Sequence, residues 1–453
     1  SVENTLTLLL DDKKYHSLRD ILSTMNPADI AAVFDELPES KLPLLFRLLP
    51  KELAAETFVE MGTDAQALLI RGFSDSELKE VIDELYVDDA VDIVEEMPAN
   101  VVQRILTQAD PEMRKQINEI LRYPEDSAGS IMTTEYVSLR PNMTVGEAIL
   151  RIRRTGIDKE TIYTCYVTKG HKLIGLVSVK DLLLCEDDNA TIESIMTDHV
   201  ITVNTLDDQE QVAQMFSKYD FLALPVVDTE SRLVGIVTFD DAMDVMQDEA
   251  TEDMEKMAAM LPSEHPYLRS SPFEIWKNRI PWLMLLMISA TLTGLVITSF
   301  EDALGVLPCL TAFIPMLMDT GGNSGSQACV TVIRGISLDE IEFRDIFKVV
   351  WKEIRVAVLC GICLAVACFA KVMLVDHLLL RSKSVNAWVA LVVSLSMAVT
   401  VFLAKLVGGT LPLLAKKLGF DPAVMASPII TTIVDFLSLL VYFTFATTIL
   451  HIG

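Results

Sequence analysis

An aspartate inside a long apolar stretch demands a chemical reason. Asp435 stands among the 28 largely apolar residues of 423–450, in the run Pro428-Ile429-Ile430-Thr431-Thr432-Ile433-Val434-Asp435-Phe436. An ionised carboxylate at bilayer depth costs about 2.5 kcal/mol or more, so it must face protein or water and be neutralised there. On a helix Thr431 and Thr432 lie one turn before it, at i−4 and i−3, and share its face. Hydroxyls, carbonyls freed near Pro428 and a carboxylate make a hard-oxygen lining that suits Mg2+ or Mn2+ rather than a thiolate-seeking metal.

A second polar constellation, Asp319-Thr320-Gly321-Gly322-Asn323-Ser324-Gly325-Ser326-Gln327, follows another apolar run. Lipid-facing packing does not account for it. Glycines permit close helix approach, and the polar groups are costly unless they meet one another, water or an ion. One carboxylate is a weak cage for a dication. A mostly hydrated ion, met by two copies of Asp435 in a symmetric homodimer, would satisfy it better. A negative cell interior draws such an ion inward by about 2.3 kcal/mol per unit charge per 100 mV.

The elements that must position these residues are apolar runs at 282–300, 303–321, 356–375, 387–411 and 423–450. Twenty helical residues cover roughly 30 Å, the thickness of a hydrocarbon core, which predicts five membrane spans. Lys277 and Arg279, then Arg334 to Arg355, then Lys416 and Lys417 all fall on one side if the spans alternate; Arg381 and Lys383 are a smaller contrary signal. The expected placement puts residues 1–281 in the cytoplasm and Gly453 outside. Lys371 and Lys405 either pair with carboxylates or reach toward an interface.

Charge divides the chain. The total is −27, but residues 1–272 carry net −28 and the remainder +1. So acidic a body repels nucleic acid and suits a divalent-cation partner. Seven cysteines give no disulfide framework, and Cys360 and Cys363 lack the companions of a zinc site. No histidine has triad or metal-ligand spacing and no phosphate-binding glycine loop occurs, which argues against an enzyme.

Within the acidic part, Asp29–Pro38 (DIAAVFDELP) returns as Asp89–Pro98 (DAVDIVEEMP), and Ser74 with Glu77 has capping-box spacing. Stacked helical repeats are expected. In 128–246, Ile131-Met132-Thr133 returns as Ile195-Met196-Thr197, and the strand Leu173–Ser178 as Leu233–Thr238, each followed by an acidic helix start. This predicts two small α/β modules, neither able to bury its sheet without its twin. The pattern resembles tandem cystathionine-β-synthase-type (CBS) domains, which implies a regulatory pair with ATP as a candidate ligand of its cleft. From Asp244 to Leu261 the chain reads as a connecting helix with Met243, Met246, Met254, Met257 and Met260 on one packed side, ahead of a second short helix at Pro272–Ile280.

Taken together, the order of parts, GGNSGSQ at 321–327 and TTIVD at 431–435 resemble the MgtE family of bacterial magnesium transporters/channels across essentially the whole chain. The resemblance implies a multidomain fold: an all-α helical-repeat N-domain (1–127), tandem α/β CBS domains (128–246), a connecting plug helix and linker (247–272), and a five-helix all-α transmembrane pore domain (273–453). It implies a homodimeric Mg2+-selective channel in the lipid bilayer of the bacterial inner membrane, importing the ion and closed by cytoplasmic Mg2+. The pore carboxylate falls on Asp435 and its lining on Pro428, Thr431 and Thr432. The polar loop after the second helix falls on Asn323, Ser324 and Gln327. The magnesium sensor falls on the stretches holding Asp88, Asp89, Asp92, Asp244, Asp248, Glu249, Glu252 and Glu255. Mn2+ and Co2+ stay open as alternative ions. A proton-coupled divalent-cation transporter and a non-conducting membrane Mg2+ sensor stay open as alternative functions.

Overall fold

The computed structural model describes residues 2–263, 267–268, 270–380 and 384–451. Arg381, Lys383 and Gly453, used in the orientation argument, lie outside them. Two units result, Ser1–Met246 and Gln247–Gly453.

The first unit opens with short helices: α1 (Val2–Asp11), α2 (Tyr15–Leu22), α3 (Pro27–Glu36), α4 (Leu42–Phe46), α5 (Lys51–Val59), α6 (Thr63–Gly72), α7 (Asp75–Ile82), α8 (Val87–Glu96), α9 (Ala99–Gln108) and α10 (Pro111–Ile120). The 60-residue repeat is α3 and α8. Asn26 caps α3 with Pro27 in its first turn, and Ser74 and Glu77 close a reciprocal capping box on α7. Phe34, Phe46, Phe58 and Phe73 are buried among Leu and Ile from successive helices, so the core runs along the array.

Two three-stranded sheets follow. The first orders β1 (Val137–Leu139), β2 (Thr164–Lys169) and β3 (Lys172–Ser178), with helices α11 (Val145–Thr155), α12 (Val179–Leu184) and α13 (Ile192–Ile195). The second orders β4 (Val203–Asn204), β5 (Ala223–Val227) and β6 (Leu233–Thr238), with α14 (Gln209–Tyr219) and the start of α15 (Phe239–Met257). In both sheets the first pair is parallel and the second antiparallel. The repeated Met-Thr segments explain why the modules need each other. Thr133, ahead of the first module, bridges Ile236 of the second, and Thr197, ahead of the second, bridges Leu176 of the first. A Cβ on Gly235 would lie 2.7 Å from Met132 Sδ, and one on Gly175 would lie 2.7 Å from Met196 Sδ, so glycine in each strand admits the reciprocal arm.

The second unit holds α16 (Pro272–Ser299), α17 (Glu301–Val306), α18 (Ile314–Ser337), α19 (Ile346–Lys371), α20 (Ala387–Lys417) and α21 (Ser427–Leu450). Four described helical stretches are long and apolar enough to cross a membrane: those containing α16, α19, α20 and α21. Three expectations are corrected. The second span does not run 303–321: Pro308–Phe313 is a 3-10 turn, and the long helix begins at Ile314. Asn323 to Gln327 form no loop but lie inside that helix, and their polarity keeps α18 below the apolar threshold of its neighbours. The short helix at Pro272–Ile280 is continuous with the first span, with Pro281 inside it.

α18 packs along both α20 and α21. Its glycines set the spacing: a Cβ on Gly408 of α20 would fall 2.2 Å from the Gly325 carbonyl oxygen, closer than any side chain tolerates. Gly408→Ala is therefore expected to destabilise the bundle by about 1–3 kcal/mol or more, read as a lower melting temperature in detergent. Gly294→Ala, with open space around it, should leave that temperature unchanged.

Candidate cation path and acidic cluster

In the membrane unit, α18 presents two faces. Gly321, Gly322 and Gly325 are buried against Thr400, Thr431, Val434 and Ile430, while Asp319, Asn323 and Gln327, spaced four apart, form an exposed polar stripe. Asn323 Nδ2 donates to Asp319 Oδ1 at 3.1 Å. Ser324, in contrast, is 6% exposed and turned into the bundle.

Asp435 is the ninth residue of α21. Its Oδ1 is buried with no hydrogen-bond partner, and Asp319 of α18 lies near enough to repel it. The structure thus brings a second carboxylate to Asp435 from another helix, where the sequence reading relied on one. Thr432 donates its hydroxyl to the Pro428 carbonyl at 3.0 Å. Pro428 sits in the first turn of α21, where its missing N–H leaves no gap in the helix, and its own carbonyl is taken by Thr432 rather than freed. Thr431 packs against Gly322.

Two lysines differ from each other. Lys371 pairs with Asp376 at 2.8 Å. Lys405 does not reach for an interface: it is 4% exposed on α20, within electrostatic range of Glu353 on α19.

The end of α15 belongs to this unit. Lys256 Nζ lies 2.7 Å from Asp421 Oδ2, just ahead of α21, and 2.6 Å from Glu252 Oε1. Two acidic neighbours hold the Lys256 ammonium against its own desolvation and push its pKa upward. Ser337 of α18 donates to Asp253 at 3.2 Å, and Glu255 accepts the Ser263 N–H at 2.8 Å. Met257 packs on a cluster of Cys329, Ile333, Ala404, Ala426, Ile430 and Val434. The expected methionine face is otherwise not packed: Met243, Met246 and Met254 are exposed, because α15 turns its apolar contacts through Ala242, Val245 and Met257 instead.

The first unit contains the second candidate site. Asp88, Asp89 and Asp92 all lie on α8, and Asp241 at the start of α15 acts on each of Asp89 and Asp92, with Asp244 acting on Asp92. Asp248, Glu249, Glu252 and Glu255 fall in the other unit. Sequence reasoning missed Glu135 and Glu160. Among the described residues, carboxylate oxygens of Asp88, Glu135 and Glu160 lie within 4.8 Å of one another. The signal lay in the repeat: two residues past Thr133 stands Glu135, whereas two past Thr197 stands His199. Glu135 Oε2 accepts the Val87 N–H at 3.3 Å, tying the first module to the start of α8, and Glu160 Oε2 is buried without a partner.

Burial and mutual repulsion raise all these carboxyls. Asp89 and Asp92 are pushed up to about 7 and Glu160 to about 9, with desolvation the larger cause and neighbouring carboxylates the second. Asp88 and Asp241 are driven in the same direction for the same reasons. Such a cluster must hold protons or a cation. Three carboxylates with oxygen-only chemistry fit a hard dication.

A separate cleft of about 820 Å3 between the modules is lined by Tyr163, Ser178, Lys180, Thr197, His199 and Phe221.

Family models match three stretches: an MgtE intracellular N domain over 25–126, CBS domains over 128–186 and 192–248, and a divalent cation transporter over 314–445. These parts, with a carboxylate pair in the membrane helices, define a divalent-cation transporter of the CBS-bearing class. The chain is 37% identical to the magnesium transporter MgtE of Thermus thermophilus and 32% identical to that of Bacillus subtilis, each over 98% of this chain and 97% of the relative. It belongs to the MgtE family, whose named members are transporters and not enzymes. A crystal structure of the cytosolic domain of the Mg2+ channel MgtE in complex with ATP aligns over 54% of this chain and 99% of that one, with 38% identity and a TM-score of 0.51.

The raised carboxyls give a pH dependence. A carboxyl with a higher pKa folded than unfolded stabilises the fold fully below its unfolded value of about 4 and loses that contribution as pH rises through the folded value. In metal-free protein, hydrogen exchange of α8 should therefore report weakening protection as pH rises above about 5 once corrected for intrinsic rates, with the slope easing as Asp89 and Asp92 ionise at about 7. Asp88→Asn with Glu160→Gln should flatten the slope, and millimolar Mg2+ should flatten it in the wild type by replacing the protons.

Proposed function

We propose that the chain is a Mg2+-conducting channel made of two copies, importing the ion past Asp435 and shut by cytoplasmic Mg2+ held on its acidic domains. The observation that carries this reading is the buried, unbonded Asp435 Oδ1 beside Asp319. Two carboxylates at membrane depth repel each other unless a cation stands near them. The exposed stripe of Asp319, Asn323 and Gln327 supports the dimer, because a lone protomer would turn it toward lipid. A pore between two such stripes, with Asp435 from each copy, carries four carboxylates and four amides, enough to contact the water shell of Mg2+ without stripping it. Mn2+ and Co2+ share this oxygen chemistry, and pore width decides among them.

The negative interior drives the ion inward with residues 1–281 cytoplasmic and the C-terminus outside. Gating follows from linkage. Scarce Mg2+ leaves the α8 carboxylates repelling those of Glu135, Glu160 and Asp241; abundant Mg2+ bridges them and favours the compact arrangement. Asp244, Asp248, Glu249, Glu252 and Glu255 lie on the helix that carries this change to the membrane unit. There Lys256 and Met257 hold it against the start of α21 and close the path. The similarity to the ATP-bound cytosolic domain supports ATP as a ligand of the Tyr163–Lys180 cleft.

The test is dye-reported uptake into liposomes across Mg2+, Mn2+ and Co2+, with internal Mg2+ varied. Asp435→Asn is expected to lower Mg2+ flux at least about tenfold or abolish ion preference. Removing residues 1–260 should leave conduction and abolish shut-off by internal Mg2+. Unchanged flux and preference in Asp435→Asn would remove its role; a truncated chain that still closes at the same internal concentration would remove the sensor. Flux that strictly follows a proton gradient would replace the channel by a coupled transporter.

A further inference from the structure

The first CBS module carries another concavity, of about 670 Å3, that shares no lining residue with the cleft between the modules. Its charge runs against its surroundings. In a stretch of net −28, Arg140, Arg151, Lys169 and His171 line one cavity, opposed by a single acid, Glu193. Among the described residues none of Arg140, Arg151 and Lys169 forms an ion pair.

The cavity is held by fixed backbone. Arg140 follows β1, which pairs in parallel with β2. Across that pair the Ser138 and Thr168 hydroxyls are 2.9 Å apart, and a bulge between Val167 and Thr168 re-aims the strand at this point. Lys169 precedes, and His171 belongs to, the two-residue turn Gly170-His171, in which Gly170 has φ +58° and His171 +70°, the geometry of a tight hairpin. The opposite wall is tied on by Glu193 N–H donating to the Pro141 carbonyl at 3.0 Å and Ile192 N–H to the Met143 carbonyl at 2.8 Å. Arg151 projects from α11. Four cationic or N–H-donating side chains, two hydroxyls and the Asn142 amide thus converge on rigid elements.

We infer that this cavity binds a phosphorylated small molecule that also carries hydroxyl groups. Guanidinium forks match phosphate oxygens two at a time, Lys169 adds a point charge, and Glu193 can accept only from a donor on the ligand, which a bare phosphate lacks once ionised. The volume exceeds what a single phosphate fills and suits a sugar phosphate or a nucleotide.

Calorimetric titration of the full-length protein in detergent, free of divalent metal, with ribose 5-phosphate and with inorganic pyrophosphate tests this. Saturable binding of ribose 5-phosphate is expected, weakened at least about tenfold by Arg140→Glu and again by Arg151→Glu, largely kept by Arg140→Lys, and unchanged by Lys180→Ala in the other cleft. Glu193→Gln should weaken ribose 5-phosphate and leave or strengthen pyrophosphate. All these side chains are exposed, so the melting temperature should not move and a loss of binding is not a loss of fold. Absence of saturable binding, or binding lost in Lys180→Ala and retained in both Arg→Glu variants, overturns the inference.

Discussion

Carboxylates without cations govern this protein. Asp319 acts on Asp435 in the membrane unit, and Asp88, Glu135, Glu160 and Asp241 crowd together in the first unit; Lys159 acts on Glu135 from a distance, but among the described residues no lysine or arginine forms an ion pair with any of these six acids. The electrostatics are the same in two solvents. Loss of water penalises the charged form and repulsion penalises it again, so each cluster gains most from a mobile positive charge. A permanent Arg would relieve the strain and remove the response. In the proposed channel, leaving the charge to be supplied by an ion is what would let one cluster pass a cation and the other count it.

Rigid surroundings keep the carboxylates from escaping each other. Gly325 and Gly408 bring α18 and α20 into backbone contact, and Gly322 seats Thr431, so the helix that carries Asp319 cannot slide away from the one that carries Asp435. In the first unit the reciprocal arms do comparable work. Thr133 is pinned to Ile236 by paired backbone hydrogen bonds, and Glu135 follows two residues later, so its position is set by the second module although it belongs to the first. Glu135 then accepts from Val87, which binds α8 into the same arrangement. The acid cluster is therefore a meeting of three pieces that lie far apart in the chain: α8, the first module and the second.

Much of this could be read from residue order. The α3/α8 repeat, the duplicated Ile-Met-Thr and strand segments, the capping box at Ser74 and the membrane acid Asp435 are periodic or compositional signals, and local chemistry enforces them. What escaped was set by distance in space. Glu135 and Glu160 look like ordinary surface acids until the modules fold together. Asp319 belongs with Asp435 only because α18 packs along α21. Hydropathy placed the second span early because 303–321 is apolar, but Pro308 interrupts it, and the polar helix that does the packing is the one a hydropathy window passes over. For Lys405 residue order leaves both a carboxylate partner and an interface open, and only the packing decides: it is enclosed near Glu353, 52 residues earlier in the chain.

The contact at the end of α15 bears on how strongly the proposed gate can close. Met257 rests on a cluster that includes Ile430 and Val434 of α21, and Val434 adjoins Asp435 in the chain, so the same stretch of α21 contributes to an apolar seat and carries the acid. Full burial of a methionine is worth about 1.5–3 kcal/mol, and Met257 is only partly buried, so this seat gives less. Lys256 with Asp421 and Glu252 adds a tether that water partly screens. Moving a two-state equilibrium from 1:99 to 99:1 requires about 5.5 kcal/mol. The contact by itself falls short of that, which leaves the remainder to ions bound elsewhere. Closure is then conditional on the acidic cluster being occupied. A stronger seat, with a second large apolar side chain beside Met257, would hold the path shut whether or not Mg2+ was plentiful.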